Sequence, residues 1–103
     1  EEHCYMLAMN TKGKLTGIFL ISKGTVNMTC MNPREVFIRA LLIGASGIIL
    51  CHNHPSGDTE PSRQDIEVTK AFNKSGRLLG IPLLDHIIVG GSDYYSFMQK
   101  GIL

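Results

Sequence analysis

Apolar residues in this chain come in short blocks, set apart by glycine, asparagine and proline. Glu2 leads into His3 to Met9, a mostly apolar run that reads as a buried strand. Asn10 to Lys14 has turn composition and Leu15 to Ser22 resumes the apolar run, so the two predict a β-hairpin. After Gly24, Thr25 to Met28 is a candidate for a further short strand. Asn32-Pro33-Arg34-Glu35 has the chemistry of a helix start: a capping amide, proline at the first helical position, and an acid in the first turn. Val36, Ala40 and Ile43, with Phe37 and Leu41 beside them, then recur at helical spacing before Gly44. Ser46 to Cys51 is again strand-like. A second helix is expected from about Ser62 to Ser75, with Gly76 capping its end. Ile81-Pro82 introduces a strand over Leu83 to Val89, closed by Gly90-Gly91. Tyr94 to Phe97 is either a last short strand or the start of a helical tail. The uneven alternation predicts an α/β (α+β) chain with a mixed sheet and helices packed against it.

One stretch carries the chemistry. Gly47-Ile48-Ile49-Leu50 runs into Cys51-His52-Asn53-His54-Pro55-Ser56-Gly57, and a polar loop then leads to Pro61-Ser62-Arg63-Gln64-Asp65. At the end of a strand, His52 and His54 lie two apart and project to one side, while Cys51 and Asn53 point to the other. Two neighbouring imidazoles suit a divalent transition metal better than a packed core. Asp65 brings a carboxylate from the far lip of the loop, and three ligands with a position left for water is the pattern of a catalytic zinc. Ser62 and Asp65 also fit a plain helix start, a serine cap with an acid in the first turn. Both readings of Asp65 can hold, because a cap fixes where a carboxylate points.

His-x-His-Pro, a loop and Ser-x-x-Asp together resemble the metal motif of the JAB/MPN (JAMM) metalloprotease superfamily. His52 to Gly57, Pro61-Ser62-x-x-Asp65 and Leu84 to Ile88 are similar to its bacterial RadC branch, as are Asn32 to Val36 and Ser96-Phe97. That resemblance covers essentially the whole chain. It implies a mainly antiparallel sheet flanked by helices in the JAB/MPN (cytidine-deaminase-like) architecture. It also implies Zn2+ held by His52, His54 and Asp65, and hydrolysis of a peptide or isopeptide bond. Ser62 would donate to the developing oxyanion. The superfamily's water-activating glutamate matches Glu2, with Glu1 as the rival one residue away. Asp85, on a later strand, is a candidate for orienting a ligand histidine.

Composition narrows the alternatives. At 103 residues the chain is expected to be one domain over residues 1–103, too small for the barrel hydrolases that also use His-x-His. The abrupt opening on Glu1-Glu2 suggests a fragment of a longer protein that lacks an N-terminal region. A formal charge of +1 with scattered Lys and Arg gives no basic stripe for phosphates, so strong direct nucleic-acid binding is not expected. The RadC name carries a second reading, a DNA repair or recombination factor, which an upstream domain would have to support. A third reading is a metal-binding interaction module without catalysis. Cys4, Cys30 and Cys51 show no Cys-x-x-Cys spacing, and no apolar run approaches a membrane span, so a cytoplasmic protein is expected. The substrate is an unspecified protein or peptide, and the oligomeric state is open.

Overall fold

The computed structural model describes residues 1–24 and 31–103. Strand β1 (Glu2–Met9) turns back into β2 (Leu15–Gly24), as the alternation predicts. Asn10 makes the turn: its Oδ1 accepts from the amides of Lys12 and Lys14, both at 2.9 Å. Helix α1 (Pro33–Leu42) follows, then β3 (Gly47–Asn53), helix α2 (Arg63–Leu79), β4 (Leu83–Gly90) and β5 (Asp93–Ser96). The short strand expected over Thr25 to Met28 lies outside the described residues.

The sheet order is β2-β1-β3-β4-β5, antiparallel except for the parallel pair β3 and β4. A parallel pair needs a crossover, and α2 supplies it. This is the mixed, mainly antiparallel sheet with packed helices that the sequence implies. Alternation in β1 buries Cys4, Met6 and Ala8 and leaves Tyr5 and Leu7 half-buried, so this strand is covered on one face rather than two. Met6, Ala8, Ile48 and Leu50 from that face join Val36, Phe37 and Ala40 of α1 and Val68 and Phe72 of α2 in one core. Phe37 and Phe72 link the helices at 5.8 Å between ring centroids. Leu41 and Ile43, which share the apolar periodicity of α1, are exposed at its end.

Both helix starts form as their residues predict. Asn32 Oδ1 caps α1 through the amide of Arg34, and Ser62 caps α2. The end of α2 differs. The helix runs past Gly76 to Leu79, and Gly80, at φ 72°, is the left-handed cap. Gly76 has another role: a Cβ there would lie 2.5 Å from the carbonyl oxygen of Ile81. Absence of a side chain lets the returning chain press against the helix. The tail resolves as a strand, β5, antiparallel to β4. No helix of the described residues is long and apolar enough to cross a membrane.

Candidate metal centre

The centre forms where the end of β3 meets the first turn of α2. His52 is the next-to-last residue of β3, buried on the core face, and His54 follows the strand's end. The amide of His54 donates to the carbonyl of Val89 at 2.8 Å, which carries the β3–β4 contact one residue past the end of β3. Asp65 comes from α2, 2% exposed. Its Oδ1 lies 3.5 Å from His52 Nε2, and its Oδ2 lies 3.3 Å from His54 Nε2. The two imidazole Nε2 atoms are 3.1 Å apart. One donor atom from each residue falls within a 4.8 Å group. Thus His52 and His54 from the end of β3 and Asp65 from the first turn of α2 converge.

Their environment suits a cation. His54 Nδ1 lies 2.8 Å from the carbonyl oxygen of Asp58, which can only accept, so the ring hydrogen sits on Nδ1 and Nε2 presents a lone pair inward. Burial is the main force pushing the His52 pKa down to about 4, with the carboxylate of Asp65 opposing it and His54 adding to it. A neutral imidazole is the form that ligates metal. Two ring nitrogens and a buried carboxylate form a donor set of the zinc type. The residues present can therefore hold a divalent ion.

Ser62 and Asp65 form a capping box, with Ser62 Oγ accepting from the Asp65 amide at 3.0 Å and Asp65 Oδ2 accepting from the Ser62 amide at 2.8 Å. The helix-cap and metal-donor readings of Asp65 therefore coexist in one geometry. Glu2 starts β1. Cys4 stands opposite His52 across the β1–β3 pair. Strand parity then puts Glu2 on the face of His52, whereas Glu1 is out of phase. The Glu1 carboxylate lies 3.6 Å from His3 Nε2 and 3.9 Å from Lys23 Nζ.

Cys4 also faces the core side, fully buried, and burial above all pushes its thiol pKa up to about 12, with Cys51 and Asp65 adding to it. It is a neutral thiol rather than an additional thiolate. Cys51 points to the opposite face, as expected, and is half-buried. It lines a cavity of about 160 Å³ there with His3, Tyr5, Asn53 and Val89.

Asp85 does not orient a histidine of the centre. Its carboxylate accepts from Ser96 Oγ at 2.5 Å and from the amides of His86 and Met98 at 2.7 and 3.0 Å, tying β4 to β5 and the tail. The neighbour does the contacting: His86 Nε2 lies 2.8 Å from His52 Nδ1. Burial, then His52 and His54, push the His86 pKa down to about 3. Alternation with buried Ile88 puts His86 on the core face, but its approach to His52 depends on the parallel β3–β4 pairing.

Comparison with known proteins agrees with this geometry. A family model described as "RadC-like JAB domain" matches residues 1–102. The UPF0758 protein of Clostridium kluyveri is 46% identical over 103 residues, all of this chain and 45% of the relative. That of Finegoldia magna is 52% identical over 101 residues, 98% of this chain and 45% of the relative. That of Caldanaerobacter subterraneus subsp. tengcongensis is 48% identical over 101 residues, 98% of this chain and 43% of the relative. The chain thus spans a little under half the length of these relatives. With the motif assembled at one point of a mixed sheet and the family model matched from end to end of that sheet, the chain belongs to the RadC-like JAB domain family.

Proposed function

We propose that this domain is a zinc-dependent hydrolase of peptide or isopeptide bonds, acting in the cytoplasm on a protein or peptide substrate. The observation that carries the reading is the convergence of His52, His54 and Asp65 donors in a largely buried site. These three residues would hold the ion. Zinc, when bound, lowers the pKa of its water to about 7 and polarises a carbonyl.

The remaining roles belong to the chain's own groups. Glu2, on the face of His52, accepts the proton of the attacking water. Ser62 Oγ spends a lone pair on the Asp65 amide, and its own hydrogen stays free to donate to the developing oxyanion. The Asp65 carboxylate is held by the backbone of Ser62, so its position does not depend on the ion alone. With a formal charge of +1, the chain by itself binds duplex DNA no tighter than roughly micromolar at physiological salt.

The test is zinc content and cleavage of unfolded protein and of isopeptide-linked peptides, beside a His52→Ala/His54→Ala variant. Zinc near one ion per chain and cleavage that the double variant lacks is the expected result. Wild-type protein that retains no more zinc than the double variant would defeat the reading.

A further inference from the structure

We infer that Thr69 is a positioning residue for this centre, setting the tautomer of His52 through His86. The inference rests on the proposed metal site and deepens it. Its observation is a chain of three short contacts that begins and ends on proposed ligands. Thr69 Oγ1 lies 2.6 Å from the carbonyl oxygen of Asp65 and 2.6 Å from His86 Nδ1, and His86 Nε2 lies 2.8 Å from His52 Nδ1.

The direction of every bond follows from the first. A carbonyl oxygen can only accept, so the single hydroxyl hydrogen of Thr69 goes to Asp65. Thr69 Oγ1 must then accept from His86 Nδ1–H. His86 is fully buried and its two ring nitrogens meet only the Thr69 hydroxyl and the His52 ring, with no carboxylate to hold a second proton, so it carries one ring hydrogen and its Nε2 is left as an acceptor. His52 Nδ1 therefore donates, and the lone pair of His52 lies on Nε2, the atom that faces His54 and Asp65. His86 cannot readily turn away, because its ring stacks on Phe97 with centroids 4.8 Å apart and planes at 9°. Thr69 is itself fully buried, so water does not substitute for its hydroxyl.

The chain joins β3, β4 and α2 at the level of the site. Without the hydroxyl, nothing in this chain of contacts requires the His86 hydrogen to be on Nδ1. His86 can then place it on Nε2, facing His52, whose own hydrogen is driven to the ligating nitrogen. Partners of this kind are typically worth about 10- to 100-fold in metal affinity.

The experiment measures imidazole ¹⁵N tautomers in the metal-free domain near neutral pH, and zinc affinity by chelator competition. Wild type, Thr69→Val and Thr69→Ser are compared, with circular dichroism to check the fold. Expected are a wild-type His52 protonated on Nδ1, a Thr69→Val domain with redistributed His52 protonation and about 10- to 100-fold weaker zinc binding, and recovery of both in Thr69→Ser. The wild-type measurement stands even if Thr69→Val fails to fold. A wild-type His52 protonated on Nε2 overturns the inference whether or not zinc binds. So does a Thr69→Val domain with wild-type tautomer and affinity, or a folded Thr69→Ser domain that recovers neither. A wild-type His52 protonated on Nδ1 that binds no zinc defeats the metal reading instead, and with it the role given to Thr69.

Discussion

Asn53 holds the backbone on both sides of Glu2: its Oδ1 accepts from the His3 amide at 2.6 Å, and its Nδ2 donates to the Glu1 carbonyl at 3.1 Å. The last backbone pair of β1 with β3 is Cys4 with His52, so this side chain extends the contact to the residues around the proposed base. Glu2→Gln keeps size and hydrogen bonding but cannot take a proton. It is expected to retain zinc and fold while turnover falls about a hundred- to ten-thousandfold. Glu1→Gln is expected to match wild type, because Glu1 is out of phase with the site face. Loss of zinc in Glu2→Gln would make the carboxylate a ligand. Activity equal to wild type in both variants would remove the proposed base.

Ser62 separates two roles by chemistry. Ser62→Ala removes the acceptor for the Asp65 amide and should cost about 1 kcal/mol, or roughly 4–8 °C in Tm for a chain of this size. The Asp65 carboxylate keeps its bond from the residue 62 amide, so zinc content should change little. Turnover should fall about a hundredfold or more if the hydroxyl serves the oxyanion. Ser62→Asp retains a capping acceptor but, ionised, cannot donate. Full zinc and full turnover in Ser62→Asp would leave Ser62 a helix cap alone.

What could be read from sequence divides along a physical line. Helix starts are local: Asn32-Pro33 and Ser62-x-x-Asp65 each satisfy amides within three residues, so both were legible. The end of α2 is not local. Gly76 and Gly80 are equally good caps by composition, and the choice depends on how closely Ile81 returns to the helix. His52 and His54 were legible because a spacing of two is enough to align them on a strand. The reach of His86 to His52 was not, since it needs strand order and the crossover through α2. Asp85 is a carboxylate on a later strand, but its buried partners from β5 and the tail are invisible until β5 is placed.

Gly76 gives a prediction opposite to helix propensity. In an open helix interior, Gly→Ala stabilises by roughly 0.5–1 kcal/mol. Here the added methyl meets the Ile81 carbonyl at 2.5 Å, with the Leu83 amide at 3.2 Å and Phe37 Cζ at 3.3 Å. Two of those three atoms are backbone and cannot rotate away. Gly76→Ala should therefore destabilise by about 1–3 kcal/mol, read as a lower urea midpoint with an unchanged m-value. A midpoint at or above wild type would mean that the α2–β4 connection moves freely.

Two buried neutral histidines make the metal-free fold acid-sensitive. Burial pushes His52 down to about 4 and His86 to about 3 from an ordinary value of 6.5. Because the folded values are the lower ones, the unfolded chain binds protons first as pH falls. Their contribution is fully present above pH 6.5 and is lost between there and the folded values. Each histidine contributes a slope of up to about 1.4 kcal/mol per pH unit within that window, so the pair removes roughly 4 kcal/mol between pH 7 and pH 5. Against the 5–15 kcal/mol typical of a domain, that is a large fraction. Asp65 and His54 face His52, and Asp65 works against the shift, so His86 should retain neutrality to lower pH. Urea titrations at pH 7, 6 and 5 with chelator present check this. The expected result is a steady fall in midpoint before most carboxylates titrate, accompanied by unfolding rather than by a charged folded state. A midpoint unchanged from pH 7 to pH 5 would mean that the two imidazoles are protonated in the fold, and that the neutral ligating form is not the resting one.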